Sequence, residues 1–426
     1  MGAIFLPLNA AYTDPEVQWI VDDAAPAAVV REPSRTPLSG RHRFFTLDGD
    51  GGGSFAEAVA SGHGGPGETL VSSKSPMQPS DLACLLYTSG TTGRPKGAML
   101  THANLASNAW VLRRAWGFVP EDRLLHVLPV FHAHGLFVAC NTVLASGASM
   151  TWLPRFEPDV VFASMPTATV FMGVPTHYTR LLSDTRLDRR ATSGMRLFVS
   201  GSAPLLAATH ESFAQRTGHR ILERYGMTET VMLTSNPLHG ERRAGTVGQA
   251  LPYVDVRIVT DARKPAGVGA VGNVEVRGPN VFSGYWNRPD LTASEFTAEG
   301  FFRTGDVGMI EHDGYLWLVG RAKDLIITGG LNVYPIEVEE VLDSLPGVAE
   351  SAVIGVPDAD FGEAVIAVVV AQPGADVDAE ALRLAAREQL AVFKVPKRLY
   401  LVDALPRNAM GKVEKAKLRS LFASER

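Results

Sequence analysis

Several features are scarce in this sequence of 426 residues, and each scarcity narrows what the protein can be. Only two cysteines occur, Cys84 and Cys140, both inside apolar runs, so we expect reduced thiols rather than a disulfide framework or a thiolate metal site. No apolar stretch is long enough to span a bilayer, and the first residues lack the basic segment that opens a signal peptide. A formal net charge of -5 argues against a nucleic-acid binder. We therefore expect a cytoplasmic globular protein with neither a membrane nor a nucleic acid as partner.

The order of β-rich and helical runs predicts the fold class. Over the first three quarters of the chain, short β-rich runs alternate with helical ones, as is typical of a layered α/β domain. Residues 253–319 read as short strands with glycine turns, and a compact α+β unit follows them. We therefore predict an α/β protein with a large domain over 1–322, which includes a β-rich subdomain, and a small, mobile α+β domain over 323–426.

Individual elements can be assigned from the same patterns. The predicted strands include 4–8, 82–87, 124–128, 168–172, 195–199, 220–223, 254–259, 273–277, 315–319, 351–355 and 364–371. The predicted helices include 175–183, 204–217, 335–345 and 378–390. Residues 36–80 are rich in glycine, serine and proline, and we expect them to form a surface loop.

The strongest local motif is the string YTSGTTGRPKG over residues 87–97, which follows the apolar run LACLLY. Its glycines allow backbone N–H groups to turn toward one point, while the hydroxyl residues and Lys96 add further donors. Such a loop suits a polyphosphate. The spacing is not that of a Walker A loop, because Lys96 is followed by glycine. A flexible polar turn is the alternative, but it does not require this density of donors after a core strand.

Four strings, in this order along the chain, resemble the adenylate-forming superfamily of acyl-CoA synthetases, peptide-synthetase adenylation domains and luciferases. They are YTSGTTGRPKG at 87–97, RYGMTET at 224–230, TGD at 304–306 and LPRNAMGKV at 405–413. The resemblance covers essentially the whole chain. Longer blocks, among them FHAHGLFVACN and TGGLNVYPIEVEE, are most similar to malonyl-CoA synthetases.

The resemblance implies a set of nucleotide-binding residues. For ATP and AMP these are Thr88, Ser89, Gly90, Thr91, Thr92, Gly93, Lys96, Gly201, Ser202, Ala203, Arg224, Tyr225, Gly226, Met227, Asp306 and Arg321. Within the set, Tyr225 would stack on adenine, and Asp306 would accept hydrogen bonds from the two ribose hydroxyls, a pairing that a carboxylate can make.

The resemblance also implies the catalytic residues: Lys412, Glu229, Thr228 and His132. Lys412 would stabilise the negative charge that develops as a carboxylate attacks the α-phosphate. Glu229, together with Thr91, would hold Mg²⁺, since a carboxylate near a triphosphate is repelled unless a divalent cation lies between them. After acyl-AMP forms, Lys323 would act as the hinge of the C-terminal domain, while Gly329 and Gly330 would line the coenzyme A tunnel.

The acyl pocket is less well defined by the sequence. Residues expected to border it are His134, Ala133, Met232 and Arg242. A malonate substrate would keep one unreacted carboxylate that needs a cation or several donors, and the candidates are His134, Arg180, Arg242, Ser200 and Ser202. Ala133 stands where we expect threonine in malonate enzymes. We therefore hypothesise that the smaller side chain admits a substituted malonate such as methylmalonate.

The predicted reaction is the ATP-dependent conversion of a carboxylate, malonate or methylmalonate in the first place, into an acyl-adenylate and then a coenzyme A thioester. Three alternatives stay open: ligation of another short or medium acid, loading of a carrier protein, or an inactive nucleotide-binding fragment. Family members usually have an opening segment before the strand predicted at 4–8, and this sequence contains no counterpart of it. Because its loss would uncover apolar faces, we expect weak or absent activity from the chain as given.

Overall fold

The computed structural model describes residues 2–35, 37–61, 77–88, 95–358, 360–408 and 411–422. The α-helices in these residues are α1 Asp14–Ala24, α2 Ser54–Ala60, α3 His102–Ala115, α4 Thr142–Ser146, α5 Pro158–Ser164, α6 Pro175–Ser183, α7 Ala207–Thr217, α8 Pro289–Glu295, α9 Pro335–Asp343, α10 Ala379–Gln389 and α11 Lys415–Phe422. The strands are β1 Ala28–Arg31, β2 Arg43–Thr46, β3 Leu82–Thr88, β4 Lys96–Thr101, β5 Arg123–His126, β6 Ser149–Trp152, β7 Val170–Gly173, β8 Leu197–Ser200, β9 Leu222–Tyr225, β10 Thr234–Ser235, β11 Gln249–Ala250, β12 Asp255–Val259, β13 Gly272–Arg277, β14 Phe302–Ile310, β15 Leu316–Arg321, β16 Ile326–Thr328, β17 Leu331–Val333, β18 Val348–Asp358, β19 Gly362–Ala371 and β20 Arg398–Val402.

The largest sheet of the described residues has the strand order β11-β10-β9-β8-β7-β5-β6. From β6 to β9 neighbouring strands run parallel, whereas β10 and β11 are antiparallel additions. Helices α5, α6 and α7 contribute apolar side chains to the core on one face of this sheet, and α3 does so on the other. Burial on both faces explains why β7 and β8 are continuous apolar runs. Parallel strands end at the same edge, so the loops after β5, β8 and β9 meet there.

The antiparallel sheet β12-β13-β14-β15 forms the β-rich subdomain. Its last two strands carry Asp306 and Arg321 in register with each other. The chain then passes through a short turn, Ala322–Asp324, into the C-terminal unit.

The C-terminal unit contains the sheet β17-β16-β19-β18, with β20 added parallel to β19. The long strands β18 and β19 alternate their side chains between two cores. One face packs against α9 and α10, and the other packs against α11. The fold class is thus confirmed: a large α/β domain is followed by a smaller α+β domain. Among the described residues, no helix has both the length and the apolar character that crossing a membrane requires.

Two sequence predictions of secondary structure were wrong. The strand expected at 4–8 is reduced to one bridge between Phe5 and Cys84, because Pro7 has no N–H with which to continue the pairing. Residues 36–80 are not all loop. Strand β2 pairs in parallel with β1, and α2 follows at Ser54, whose hydroxyl accepts a hydrogen bond from the Thr46 backbone at 2.9 Å. Residues 62–76 of that segment lie outside the described part of the chain.

One ion pair ties the central parallel strands together at their amino ends. Asp122, 2% exposed, receives the Nε of Arg196 at 2.7 Å and its Nη2 at 2.5 Å. The Thr169 hydroxyl and the Val119 backbone N–H also donate to this carboxylate, at 2.8 Å and 3.0 Å. Burial by itself would raise the pKa of Asp122, but the donors led by Arg196 outweigh it and hold the pKa below its ordinary value.

Replacing Asp122 with asparagine should lower the free energy of unfolding by about 3 kcal/mol, because it leaves the Arg196 guanidinium without its anion. Urea denaturation followed by circular dichroism measures the change. The matched control is Asp255→Asn, which breaks the exposed pair Arg277–Asp255 and should cost under about 1 kcal/mol. Equal losses in the two variants would contradict this assignment.

Candidate active site

Four segments converge at the carboxyl edge of the central sheet. Three are the loops after β5, β8 and β9, and the fourth is the paired end of β14 and β15. These segments carry most of the predicted site. His132, Ala133 and His134 follow β5; Gly201, Ser202 and Ala203 follow β8; Gly226, Met227, Thr228 and Glu229 follow β9.

Asp306 lies at the junction of two sheets. Its carboxylate accepts a hydrogen bond from the Tyr225 hydroxyl at the end of β9, and it pairs with Arg321 Nε at 2.6 Å. The Asp306 backbone N–H donates to the Thr304 hydroxyl at 3.1 Å, which fixes the turn that presents the carboxylate. Asp306 therefore contacts both Tyr225 and Arg321, two other residues predicted to bind the nucleotide.

Glu229 is 5% exposed, and its Oε1 accepts a hydrogen bond from Tyr285 at 2.9 Å. Burial raises the pKa of this carboxyl, while Tyr285, Arg321 and Lys96 oppose that shift. The Lys96 ammonium lies 4.3 Å from the centroid of the Tyr285 ring. Tyr285 thus contacts both the acidic and the basic residue predicted to act on the phosphates.

The donor set around Glu229 fits magnesium bound largely through a substrate. No group of three or more histidine, cysteine or acidic residues that could hold a metal is found among the described residues. Mg²⁺ commonly uses one or two carboxylates and completes its shell with water and phosphate oxygens. A buried carboxylate with a raised pKa also gains from a nearby cation. Thr91, the other predicted ligand, lies outside the described residues.

Arg224 occupies the space opened by a glycine, Gly201, in the loop that follows the neighbouring strand β8. A Cβ at position 201 would lie 2.5 Å from Arg224 Cζ, so only glycine there allows this placement. Arg224 is 4% exposed, and no hydrogen-bond partner is found among the described residues for its Nε and Nη2. Burial lowers the pKa of Arg224 to about 9, which still leaves the guanidinium protonated at neutral pH. A buried cation without a partner is costly, and an anionic ligand would offset that cost.

The wall beside Arg224 is built from the segment after β5. His134 is 4% exposed, its Nδ1 lies 3.1 Å from the Ser202 hydroxyl, and its Nε2 has no partner in the part of the chain described. Burial lowers the pKa of His134 well below its ordinary value, and Arg224 lowers it further, so the imidazole is neutral. His134 therefore offers the pocket a neutral ring nitrogen next to a fixed cation.

The same wall continues as a π-helical segment, His134–Asn141, which leads directly into α4. A side chain at Gly135 would lie 2.2 Å from the Pro129 carbonyl, so this segment packs closely against the start of its own loop. Ala133 precedes the segment and is packed at the edge of the core cluster that contains the fully buried Met232. Both residues were predicted to border the acyl group.

Lys412 reaches this region from the C-terminal unit. Although its side chain remains exposed in the cleft, surrounding protein lowers its pKa by desolvation. The cations Arg321, Lys323 and Arg224 lower that pKa further, while Asp306 opposes them. Burial lowers the pKa of His132 to about 4, and the Lys412 charge contributes to this shift. Lys412 is therefore within electrostatic range of both the Tyr225–Asp306–Arg321 group and the His132 loop.

Several other predicted site residues are not among the contacts described above. Ser89, Gly90, Thr91, Thr92 and Gly93 lie outside the described residues, although Thr88 and Lys96 at the two ends of that loop pair across β3 and β4. Gly329 and Gly330 form the exposed turn between β16 and β17, and the Gly329 N–H donates to the Phe361 carbonyl at 2.8 Å. Lys323 is exposed in the turn between the two domains.

Arg242 was also predicted to border the acyl pocket, and the structure shows its donors bound to main-chain carbonyls. Its guanidinium donates to the main-chain carbonyls of Arg220, Pro237 and Leu238 at 2.7, 3.3 and 3.0 Å. Two of these bonds hold the side chain against its own loop, and the bond to Arg220 ties it to the segment just before β9. Arg180, another candidate for the second carboxylate, is exposed on α6.

Sequence reasoning missed Tyr285, and it assigned Arg224 to the nucleotide alone. Tyr285 follows Glu229 by 56 positions, and no spacing rule links the two residues. The available signals were indirect: an arginine at the end of a strand that leads into a motif loop, and a tyrosine in the string SGYWNRPD after a β-rich run.

Comparisons with known proteins identify the family. A family model described as "AMP-binding enzyme" matches residues 1–286, and one described as "AMP-binding enzyme C-terminal domain" matches residues 337–412. A probable CoA ligase from Humulus lupulus is 42% identical over 80% of this chain and 62% of its own length. A malonate–CoA ligase from Arabidopsis thaliana is 40% identical over 81% of this chain and 61% of its own length. The chain thus spans about three fifths of the length of these curated relatives.

Among solved structures, ATP-bound MatB from Rhodopseudomonas palustris superposes with a TM-score of 0.94 at 50% sequence identity. The match covers 99% of this chain and 84% of the other. The fold, the order of the motifs and both family regions therefore lead to one conclusion: the chain belongs to the AMP-binding enzyme family.

Proposed function

We propose that this chain is an acid–thiol ligase that uses ATP to convert a dicarboxylate, malonate or methylmalonate, into its coenzyme A thioester with release of AMP and pyrophosphate. The observation that carries the adenylation step is the position of Lys412. It stands on the C-terminal unit, yet its charge acts on His132, and Asp306 and Arg321 act on its own pKa. The names of the relatives, a malonate–CoA ligase among them, support the same reaction class.

In the first half-reaction, a carboxylate oxygen attacks the α-phosphorus of ATP, and the bond from that phosphorus to the bridging oxygen of pyrophosphate breaks. Negative charge builds up on the phosphoryl oxygens, and Lys412 and Arg321 are the cations proposed to stabilise it. Tyr225 and Asp306 would hold the adenosine, so that the α-phosphate meets the acid in a fixed orientation. Glu229 would hold Mg²⁺, which neutralises the charge of the triphosphate when it is bound.

The dicarboxylate preference rests on Arg224. A guanidinium fork binds a carboxylate through two parallel hydrogen bonds, and Nε and Nη2 are the pair without partners among the described residues. His134 adds a neutral ring nitrogen beside it. Malonate would thus place its unreacted carboxylate against Arg224 and direct the other toward the nucleotide.

In the second half-reaction, the thiol of coenzyme A attacks the acyl carbon of acyl-AMP; the thiol proton is lost and AMP leaves. We propose that the domains over 1–322 and 323–426 rearrange about Lys323 between the half-reactions. Lys412 would then withdraw, and Gly329 and Gly330 would line the thiol tunnel. The exposed turn that these glycines form is accessible for such a role. We also propose a cytoplasmic location, in keeping with the free thiols of Cys84 and Cys140.

Replacing Lys412 with alanine should reduce malonate-dependent pyrophosphate exchange into ATP by about 100-fold or more, since it removes a charge that opposes the developing anion. A radiolabelled exchange assay is sensitive enough for a weakly active chain. The control is Lys417→Ala, an exposed lysine on α11. This variant should exchange at the rate of the unmodified chain.

The same assay separates the open alternatives. Exchange led by malonate, with a coenzyme A thioester formed, supports the proposal. Pyrophosphate exchange that is faster with acetate or a medium-chain acid than with malonate would support the adenylation step but contradict the dicarboxylate assignment. Exchange without thioester formation would favour a carrier protein as acceptor. A folded chain that is silent with every acid would contradict the proposed reaction for this chain.

Replacing Arg224 with methionine should lower kcat/KM for malonate by at least about 30-fold, because an unpaired buried carboxylate costs about 2 kcal/mol or more. Acetate has no second carboxylate and should lose much less. The ratio of the two kcat/KM values is the measurement, and it should be unaltered in Arg242→Met, whose guanidinium binds the main-chain carbonyls of Arg220, Pro237 and Leu238. An unchanged ratio in Arg224→Met would contradict the role of Arg224.

Replacing Ala133 with threonine should lower kcat/KM for methylmalonate relative to malonate by about tenfold, the effect of about one methyl group in a pocket. The added methyl and hydroxyl groups would occupy the space proposed for the substrate's branch. Competition between the two acids in one reaction, with both thioesters quantified, gives the ratio directly. A ratio identical to that of the unmodified chain would contradict the hypothesis.

A further inference from the structure

The loop that carries Lys412 joins β20 to α11. A lysine side chain is long and flexible, so where its ammonium can act depends on the backbone beneath it. The described part of this loop is 405–408 and 411–413. Its contacts are dense for a segment so close to the end of the chain.

The first set of contacts is made by the main chain and by Asn408. The Asn408 N–H donates to the Lys412 carbonyl at 2.9 Å, and the Gly411 N–H donates to the Asn408 carbonyl at 2.9 Å. The Lys412 N–H donates to Asn408 Oδ1 at 3.0 Å. Arg407 and Val413 form an antiparallel bridge at the base of the loop. Gly411, at a φ of 74°, takes the left-handed conformation that the turn requires.

The second set is made by the Arg407 side chain. One guanidinium nitrogen, Nη1, donates to the Gly411 carbonyl, and the other, Nη2, pairs with Glu350 on β18. The planar fork of an arginine can serve two acceptors at once in a fixed geometry. Arg407 thereby spans the loop from its base to the residue before Lys412, and Glu350 ties it to the sheet.

The far side of the loop is anchored in the same way. Lys415 pairs with Glu339 of α9 at 2.6 Å, and Glu339 Oε1 also accepts the Val353 N–H of β18 at 2.7 Å. Helix α9 and strand β18 share a core, so both anchors rest on one rigid unit. The turn between them is thus held at both ends, with Lys412 near its middle.

We propose that Arg407 is a positioning residue for Lys412: together with Glu350 it holds the loop in the shape that delivers the lysine to the phosphate during adenylation. This inference rests on the proposed function. Arg407 and Glu350 are 29% and 33% exposed, and partly exposed ion pairs contribute little to stability. The main effect of this ion pair is therefore on the position of Lys412.

The test separates the two half-reactions in the 426-residue chain. Arg407→Met and Glu350→Gln should slow malonate-dependent pyrophosphate exchange by about tenfold to 100-fold, since a misplacement of about 1 Å at a reacting group can cost about 100-fold. The KM for ATP should change much less than kcat. Thioester formation from synthetic malonyl-AMP and coenzyme A, in which Lys412 has no part, should be unchanged. The control is Arg383→Met, which removes the Arg383–Glu380 pair on α10 and should alter neither half-reaction.

A second readout does not depend on activity. Amide hydrogen exchange of the peptide that contains Asn408, Gly411 and Lys412 should be faster in Arg407→Met than in the unmodified chain, and unchanged in Arg383→Met. Unchanged protection in Arg407→Met would overturn the proposal, as would equal losses in both half-reactions. If the unmodified chain forms no acyl-adenylate, the proposed function fails, and the exchange measurement still decides whether Arg407 holds the loop.

Discussion

The charge of Asp306 is the constraint on which the site depends. This carboxylate is 5% exposed, so it needs partners, and it finds them in two different sheets. Tyr225 comes from the end of the parallel sheet, and Arg321 from the neighbouring strand of the antiparallel sheet. Satisfying one anion therefore fixes the two sheets against each other. The chain enters the C-terminal unit directly after Arg321. The contact between Arg321 and Asp306 therefore also influences the position at which that unit, which carries Lys412, begins.

Much of the fold could be predicted because its signals are local. Helix α6 was predicted with the bounds it has, since Pro175 suits a first helical position and the apolar residues recur at helical spacing. Strands β3 and β8, which precede two of the predicted nucleotide-binding loops, are largely apolar runs, so their assignment was simple. Once β5, β8 and β9 are parallel, the convergence of the loops after them follows from geometry alone. This is why the motifs, widely separated in sequence, could be expected to meet at one edge.

The remainder depends on contacts that no local pattern reports. Arg224 occupies space that is free because Gly201, in the loop after β8, has no side chain, and only the fold shows that the two residues are adjacent. Arg242 has the charge that a carboxylate pocket needs, but main-chain carbonyl groups of its own loop and of Arg220 take up its donors. Tyr285 reaches Glu229 from a separate loop. In each case a long-range contact, rather than composition or spacing, decides the role of the side chain.

The π-helical segment His134–Asn141 bears on how this pocket can change over evolutionary time. A π turn accommodates one residue more than an α turn, and such segments usually persist where they serve a site. Deleting one residue here would let the segment relax into the α4 helix that follows and would rotate His134 relative to Ser202 and Arg224. The proposed acyl pocket can therefore be reshaped through the length of this segment as well as through the side chains that line it.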